Sequence, residues 1–459
     1  MNPLTGGLKF LSTALFNSLM ALVFFIVAGR FASPSFVGKV AIIQLVETIT
    51  SSFFSALPSQ LITREITYYY ASSQDYTKVV YTSLTYSLLT IPFLLFLLFF
   101  PSFLWLSMPY FVLFLYTSYQ VSLLSGLGKF TEVNVGNAIF TLGRWGFSVV
   151  AIFYHSIKLL ILIWTLFALI RAIYYQRFLP FKLYIDWRIF KEIMKVGFPL
   201  YLSGIIGFIS YQGDRVVTAF LLGSYDLGIY QLVALAAVVP SLLIGSFFSS
   251  LLPSSTYYYT KGKDMIQISS IAFRVLVLLS LPIAILGYAV SPLLISKLFP
   301  EYVSGIPAMQ LLVLSLTATM PLQLLSAFII VAKRSYTPFI VIGLASAIEV
   351  VGASLYLIPK IGILGAAIAQ AVNAVLVSAL YLVFSQLQGV FRLGKREAMA
   401  LVAVGLSFLT LINWVAALVV VLISFKPFGI VSRDEVKIVE VFTPPVLRKV
   451  TKILYIVAK

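Results

Sequence analysis

The chain contains no cysteine, a single histidine (His155), and few charged residues, which make up 10% of its 459 positions. Without cysteine there is no disulfide framework, thiolate metal site or cysteine nucleophile. One histidine is too little to build a zinc or haem site. No metal and no cofactor is therefore expected. A soluble domain carries about 25% charged residues, so the scarcity of charge excludes a water-covered globule. What is present instead is apolar: 61% of the residues are hydrophobic and the mean hydropathy is +1.03. At ~20–22 residues per spanning helix, some 280 apolar residues correspond to roughly 13 helices. Soluble enzymes, secreted scaffolds and nucleic-acid-binding modules are excluded. The expected class is an all-α polytopic membrane protein, whose partner is the lipid bilayer.

Apolar stretches bounded by charge, proline or glycine fall at about 10–28, 36–62, 79–100, 103–125, 133–153, 157–178, 196–222, 229–252, 268–295, 306–331, 337–358 and 362–385. A further stretch occupies 398–425, so 12 to 14 transmembrane helices are expected. That last stretch reads either as one long helix or as a cramped hairpin around Asn413 and Trp414. Pro92, Pro199, Pro240, Pro282 and Pro321 lie within spans and predict kinks. The N-terminal residues run directly into a full-length span with no small-residue cleavage site, so no cleavable signal is expected.

The net charge of +17 is explained by the positive-inside rule rather than by nucleic acid. With the N-terminus inside, 17 Lys and Arg fall in inner loops, against five outside (Arg30, Lys39, Lys158, Lys297 and Lys360). The N-terminus is expected to be cytoplasmic in a plasma-membrane protein. The inner segment 179–195 divides the first twelve spans six and six. The expected organisation is an N-lobe at 1–178, a linker at 179–195, a C-lobe at 196–387, and an extra hydrophobic segment with a basic tail at 388–459.

The two halves repeat in order. Ser52-Phe53-Phe54-Ser55 in span 2 matches Ser246-Phe247-Phe248-Ser249 in span 8, and Leu88-Leu89-Thr90-Ile91-Pro92 matches Leu278-Leu279-Ser280-Leu281-Pro282. Phe36-Val37-Gly38 matches Asp226-Leu227-Gly228, and Lys129 matches Lys333. Six spans per copy give both copies one orientation. The expectation is two pseudo-symmetric six-helix lobes around a central cavity, the architecture of alternating-access carriers.

Three segments carry a family likeness. Leu222-Gly223-Ser224-Tyr225-Asp226-Leu227-Gly228-Ile229-Tyr230-Gln231-Leu232 resembles the loop between spans 7 and 8 of polysaccharide flippases. Leu298-Phe299-Pro300-Glu301-Tyr302-Val303-Ser304-Gly305-Ile306-Pro307 is similar to their entry into span 10, and Ile361-Gly362-Ile363-Leu364-Gly365-Ala366-Ala367-Ile368-Ala369 to the start of their span 12. The tail Val431-Ser432-Arg433-Asp434-Glu435-Val436 resembles cytoplasmic tails of archaeal members. The family is the polysaccharide-biosynthesis (Wzx-type) branch of the MOP superfamily, which also holds the multidrug (MATE) antiporters and the peptidoglycan-precursor flippases. The resemblance implies a non-enzymatic flippase, moving a lipid-diphosphate-linked oligosaccharide from the cytoplasmic to the outer leaflet. A monomer is expected. A cation-coupled drug or small-molecule antiporter of the MATE type is the alternative. A membrane enzyme would need a sizeable outer loop or a clustered acidic site, and the sequence has neither.

Ionisable residues within spans are functional candidates by default. The candidates for a diphosphate are Arg215, Arg144, Lys9 and Arg30, because a guanidinium fork donates two bonds to adjacent oxygens. Asp214, Glu47 and Glu349 are candidates either for a coupling ion (H⁺ or Na⁺) or for structural pairs. Asp214 and Arg215 point about 100° apart on a helix, so each needs a further partner. Arg171 and Arg274, near inner ends, are expected to snorkel. Tyr68-Tyr69-Tyr70 and Tyr257-Tyr258-Tyr259 read as interface aromatic belts, and the segment after Pro444-Pro445 as a basic amphipathic helix on the inner leaflet.

Reporter fusions are expected to place residues 179–195 and 388–397 in the cytoplasm. Either segment found outside would overturn the orientation.

Overall fold

The computed structural model describes residues 3–54, 57–260, 264–332, 337–430 and 432. Within these, side chains are described for all but 3–12, 14, 242–260, 331–332 and 426–428. The side chains of Lys9 and Tyr257-Tyr258-Tyr259, and the tail from 433 onward, thus lie outside the described residues. Every regular element among the described residues is helical. Among the described residues, nine helical stretches are long and apolar enough to cross a membrane, and shorter apolar helices lie at Leu15–Phe31 and Trp414–Phe425. A helix closes all its hydrogen bonds within one segment, which is what hydrocarbon demands of a spanning chain.

By contact the chain forms two units. The first comprises residues 1–212 with 223–228, and the second comprises 213–222 with 229–459.

The first unit contains α1 (Pro3–Phe31), α2 (Pro34–Phe53), α3 (Ser59–Ala71) and α4 (Thr77–Leu89), followed by a 3₁₀ run at Ile91–Phe99. Then come α5 (Ser102–Leu106), α6 (Met108–Gly126), α7 (Phe130–Thr141), a π-segment at Leu142–Phe147, α8 (Val149–Phe153) and α9 (Ile157–Gln176). Ser33 caps α2 by accepting from the Phe36 amide, and Pro34 fills the first turn, where its missing N–H is harmless. Pro58 cannot continue a helix and stands just before α3, so the expected span at 36–62 is broken in two. Pro92 likewise opens the 3₁₀ run instead of kinking an α-helix. In α3, Thr63 and Thr67 donate to the carbonyls of Ser122 and Gly126 on α6, at 3.1 and 2.9 Å. Leu61, Ile62 and Ile66 pack there with Leu115, Leu123, Leu124 and Tyr175. Ile189 and Ile193, from the first turns of α10 (Trp187–Leu221), join the same core. The second half of the 179–195 segment is therefore helical and packed.

The second unit holds the end of α10 and most of α11 (Gly223–Thr260), then α12 (Met265–Leu298) and a 3₁₀ turn at Pro300–Gly305. It continues with α13 (Ile306–Gln323), α14 (Leu325–Ala332), α15 (Thr337–Ile361) and α16 (Ile363–Leu387). Pro321 sits one turn before the break between α13 and α14. Gly362, at φ +61°, reverses the chain between α15 and α16. Gly365 then lies against the Leu357 backbone, and Ala366, Ala367, Ala369 and Ala374 are buried on α16. Small residues of this kind let spanning helices approach closely, and dispersion supplies the adhesion that water cannot.

The thirteenth stretch is a hairpin. α17 (Lys395–Ser407) passes through a 3₁₀ turn at Phe408–Leu411, and α18 (Trp414–Phe428) returns. Asn413 makes the reversal by capping α18, its side-chain oxygen accepting from the Val415 and Ala416 amides at 3.0 Å each. Both helices of the hairpin pack on α12. Arg274 of α12 fastens it: Nε lies 3.1 Å from Oε1 of Glu397, and a terminal nitrogen donates to the Ile430 carbonyl at 3.1 Å. The snorkelling expected of Arg274 is thereby corrected. Its side chain is buried, because a carboxylate and two carbonyls inside the bundle replace the interface as its partners.

Removing one partner of a buried ion pair strands the other charge, at a cost of about 3–5 kcal/mol. Arg274→Ala and Glu397→Ala should each lower thermal stability in detergent by that order. The double variant Arg274→Met/Glu397→Met should recover most of it. Equal losses in all three would show that the pair holds nothing.

Candidate functional site

The intramembrane charges form one tight cluster in the first unit and a looser set in the second. In the first unit, Glu47 projects from α2 and is 8% exposed. Arg144 grips it from the π-segment with both terminal nitrogens, at 3.0 and 2.7 Å, and the Tyr110 hydroxyl of α6 donates to the same carboxylate at 2.6 Å. A bidentate, charge-assisted pair with a third donor satisfies the carboxylate almost completely. Three rings enclose the guanidinium: Trp145 at 4.7 Å, Trp164 at 4.8 Å and Phe140 at 5.6 Å, all within cation–π range.

The π-segment makes this arrangement possible. Widening the helix by one residue per turn breaks the regular carbonyl ladder, a feature frequent at functional positions. The Arg144 carbonyl accepts from Nε1 of Trp164 at 2.8 Å, and the Ser148 hydroxyl donates to the Gly143 carbonyl at 3.1 Å. Asn17 of α1 accepts from Thr141 and from Nε1 of Trp145, at 3.2 and 3.1 Å. The first span is thus tied to the helix that carries Arg144.

Arg171 of α9 stands beside the cluster. It is 6% exposed, donates to the Thr117 hydroxyl, and lies 4.0 Å from the Phe140 ring. Its expected snorkelling is corrected: α9 turns the side chain inward onto α6 and α7, where the ring face and the hydroxyl receive it. Two guanidiniums therefore accompany one carboxylate in this buried cluster.

In the second unit Asp214 is 1% exposed, with one carboxylate oxygen accepting from the Tyr230 hydroxyl of α11 at 2.5 Å. Its other oxygen is buried and has no hydrogen-bond partner. Tyr230 is the further partner that the 100° separation from Arg215 requires. Arg215 itself is half-buried on α10. Glu349, on α15, differs from both other carboxylates. Its two oxygens are buried and neither has a hydrogen-bond partner. Gly365 lies level with residues 357 and 358 across the α15–α16 hairpin. Equal rise along antiparallel helices then sets Glu349 level with residues 373 and 374. Asn373, buried there on α16, also has a side-chain oxygen without a partner. A buried carboxylate without a donor favours a proton or a cation.

Of the diphosphate candidates, Arg30 is exposed at the end of α1, Arg215 is half-buried, and Arg144 is committed to Glu47. The structure brings Glu47 and Arg144 together, and separates Asp214, Arg215 and Glu349 from them into the other unit. Tyr110, Trp145, Trp164 and Tyr230 complete these sites and do not stand out in the sequence. An aromatic residue within an apolar span carries no signal that separates a hydrogen-bonding partner from lipid-facing bulk. Among the described residues no group of three or more His, Cys, Asp or Glu could hold a metal ion.

Residues 6–258 match the model of a family described as polysaccharide biosynthesis protein, more than half of the chain. Comparison with curated protein sequences gives no match. Among solved structures, the fold is similar to that of the lipid II flippase MurJ in an inward closed conformation. That match has a TM-score of 0.67 at 15% identity and covers 91% of this chain and 98% of that one. It is also similar to an outward-facing multidrug resistance MATE family transporter of the MOP superfamily, with a TM-score of 0.51 at 12% identity, covering 84% and 96%. A MATE protein in the straight conformation is similar with a TM-score of 0.50 at 12% identity, covering 83% and 94%. At such identities these likenesses concern the fold, and they agree with a polytopic helical membrane protein read from composition. The chain belongs to the polysaccharide biosynthesis protein family.

Proposed function

We propose that the protein is a flippase that carries a lipid-diphosphate-linked oligosaccharide from the cytoplasmic to the outer leaflet by alternating access. Membership of the polysaccharide biosynthesis family is the observation that carries this reading. The likeness to the lipid II flippase MurJ supports it. Its setting is the plasma membrane, with the N-terminus in the cytoplasm and the protein acting as a monomer.

The polyprenyl chain of such a substrate stays in lipid throughout, whereas the diphosphate must leave one interface and reach the other. The protein's task is to supply compensating positive charge in a hydrated space. Arg144 serves this poorly, because Glu47 already takes both of its terminal nitrogens. The role falls to Arg215, with Lys9 and Arg30 from the first span. The 1–178 and 196–387 lobes of the repeat form the moving parts.

Glu47 and Glu349 take different roles. Glu47 is a fixed tie, satisfied by Arg144 and Tyr110. Glu349, without a donor, is the coupling group that takes up H⁺ or Na⁺.

Charge-assisted bonds to a phosphate contribute about 1.5–3 kcal/mol each. In vesicles reconstituted with a lipid-diphosphate-linked saccharide, Arg215→Ala should weaken headgroup binding roughly ten- to a hundred-fold and abolish transport while the protein still folds. Arg215→Lys should keep part of the activity, since the charge survives and the fork does not. Normal transport by Arg215→Ala would remove Arg215 from the site.

The two glutamates separate in a second measurement. Glu349→Gln should leave thermal stability near the parent value and remove the dependence of transport on a proton or sodium gradient. Glu47→Gln should lower stability by about 3 kcal/mol or more, by stranding the Arg144 charge. Gradient dependence that survives Glu349→Gln would exclude it as the coupling group.

A further inference from the structure

The tyrosine triplet that ends α3 is a motif the transport mechanism leaves unused. α3 runs past its neighbour: Thr67 donates to the carbonyl of Gly126, the last residue of α6, so Tyr68, Tyr69 and Tyr70 stand beyond the end of that helix. α2 alone has 20 residues, or ~30 Å of rise, which already matches the hydrocarbon thickness. The triplet follows α2 by a further helix and precedes the exposed polar turn Ser72-Ser73-Gln74-Asp75. It stands at the watery end of the first unit, the end that the Lys and Arg distribution places inside.

Helical phase splits the triplet. Tyr70 turns to Tyr76, whose ring centroid lies 5.9 Å from its own. Tyr68 comes one turn after Arg64 and Glu65 and shares their side of α3. Its side chain is 59% exposed, and the Tyr69 ring braces it at 6.0 Å and 83°, edge to face. Tyr69 in turn faces the start of α10. Burial raises the pKa of its hydroxyl, and the charges of Glu192 and Glu65 raise it further while Arg188 opposes them. Arg188 and Glu192 are one turn apart on α10, both exposed. Arg64 and Glu65 are only loosely paired, 3.8 Å apart. Asp186 is occupied as a cap, accepting from the amides of Arg188 and Ile189 at 3.0 and 3.2 Å. An open aromatic face is thus bordered by side chains of both charges.

That mixture decides what the face can hold. An anionic lipid headgroup meets the carboxylates of Glu65 and Glu192, and an apolar partner strips water from charged groups. A saccharide suits both features. One face of its ring presents polarised C–H bonds to the negative face of an aromatic ring. Its hydroxyls donate to carboxylates and accept from guanidiniums.

We propose that Tyr68, with Tyr69 at its side and Glu65, Arg188 and Glu192 around it, is a saccharide-stacking subsite at the cytoplasmic end of the first unit. It captures the glycan of the substrate while the lipid chain is still in the inner leaflet. The identity of the substrate rests on the flippase reading. Tyr70, committed to Tyr76, takes no part.

The probe is the mixture of free glycans that mild acid releases from the lipid-linked saccharides of the organism's own membranes. In detergent, saturating the aromatic protons of the full-length protein should transfer magnetisation to C–H protons of a bound glycan. Tyr68→Leu should weaken glycan binding roughly tenfold or more, whereas Tyr68→Phe, which keeps the ring, should hold most of it. Tyr70→Leu should bind as the parent does. In vesicles given the intact lipid-linked saccharides, Tyr68→Leu should raise the half-saturating concentration about tenfold and leave the maximal rate nearly unchanged. Equal glycan binding by Tyr68→Leu and the parent would overturn the subsite and return Tyr68 to an interface aromatic. So would the lack of any transfer to the glycans. If the parent transports normally and either of these results is found, the subsite falls and the flippase reading stands. If glycan binding is lost in Tyr68→Leu but the parent moves no lipid-linked saccharide, the subsite stands and the flippase reading falls.

Discussion

Hydrocarbon offers no hydrogen bonds, so every polar group that enters it must find its partner within the protein. That constraint explains why every regular element among the described residues is helical, and also the less regular features. Where the helix ladder is interrupted at Leu142–Phe147, Trp164 and Ser148 take up the freed groups. Where Asn413 stops a helix, its side chain caps the next. Arg171, Arg144 and Arg274, any of which would be costly alone, are received by hydroxyls, ring faces, carboxylates or carbonyls. Glu349 stands apart from this pattern, its oxygens buried without donors, and the departure gives it a functional reading.

The two units solve the same problem differently. The first concentrates aromatic rings and a bidentate ion pair at one level, and adds threonine-to-carbonyl bonds between α3 and α6. The second relies on small residues along α16 and on the Arg274 fastening of its C-terminal hairpin.

Much of the architecture is legible in the sequence because apolar length and charge distribution are properties of consecutive residues. Asn413 marks a real helix end, and the hairpin alternative for 398–425 follows once it is seen as a cap, whereas the span expected at 36–62 runs through Pro58, where a new helix begins. The ion pair is not legible, since Glu47 and Arg144 are 97 positions apart and the helical phase of each depends on packing. The π-segment hides the phase further, because periodicity counted at 3.6 residues per turn slips by one residue there. The inward turn of Arg171 escapes for a related reason: nearness to an inner helix end fixes its depth but not its direction.

The π-segment also bears on how this chain could change over evolutionary time. An extra residue in one turn is what a single-codon insertion into a regular helix leaves behind. Losing one codon between Leu142 and Phe147 would restore an ordinary helix and rotate one flank of the span by about 100° relative to the other. Either Arg144 would leave Glu47, or the residues beyond it would leave α9. Within this span length is thus under tighter constraint than composition. An apolar residue is readily exchanged for another apolar residue, but a register shift dismantles the ion pair, the tryptophan contacts and the tie to Asn17 together.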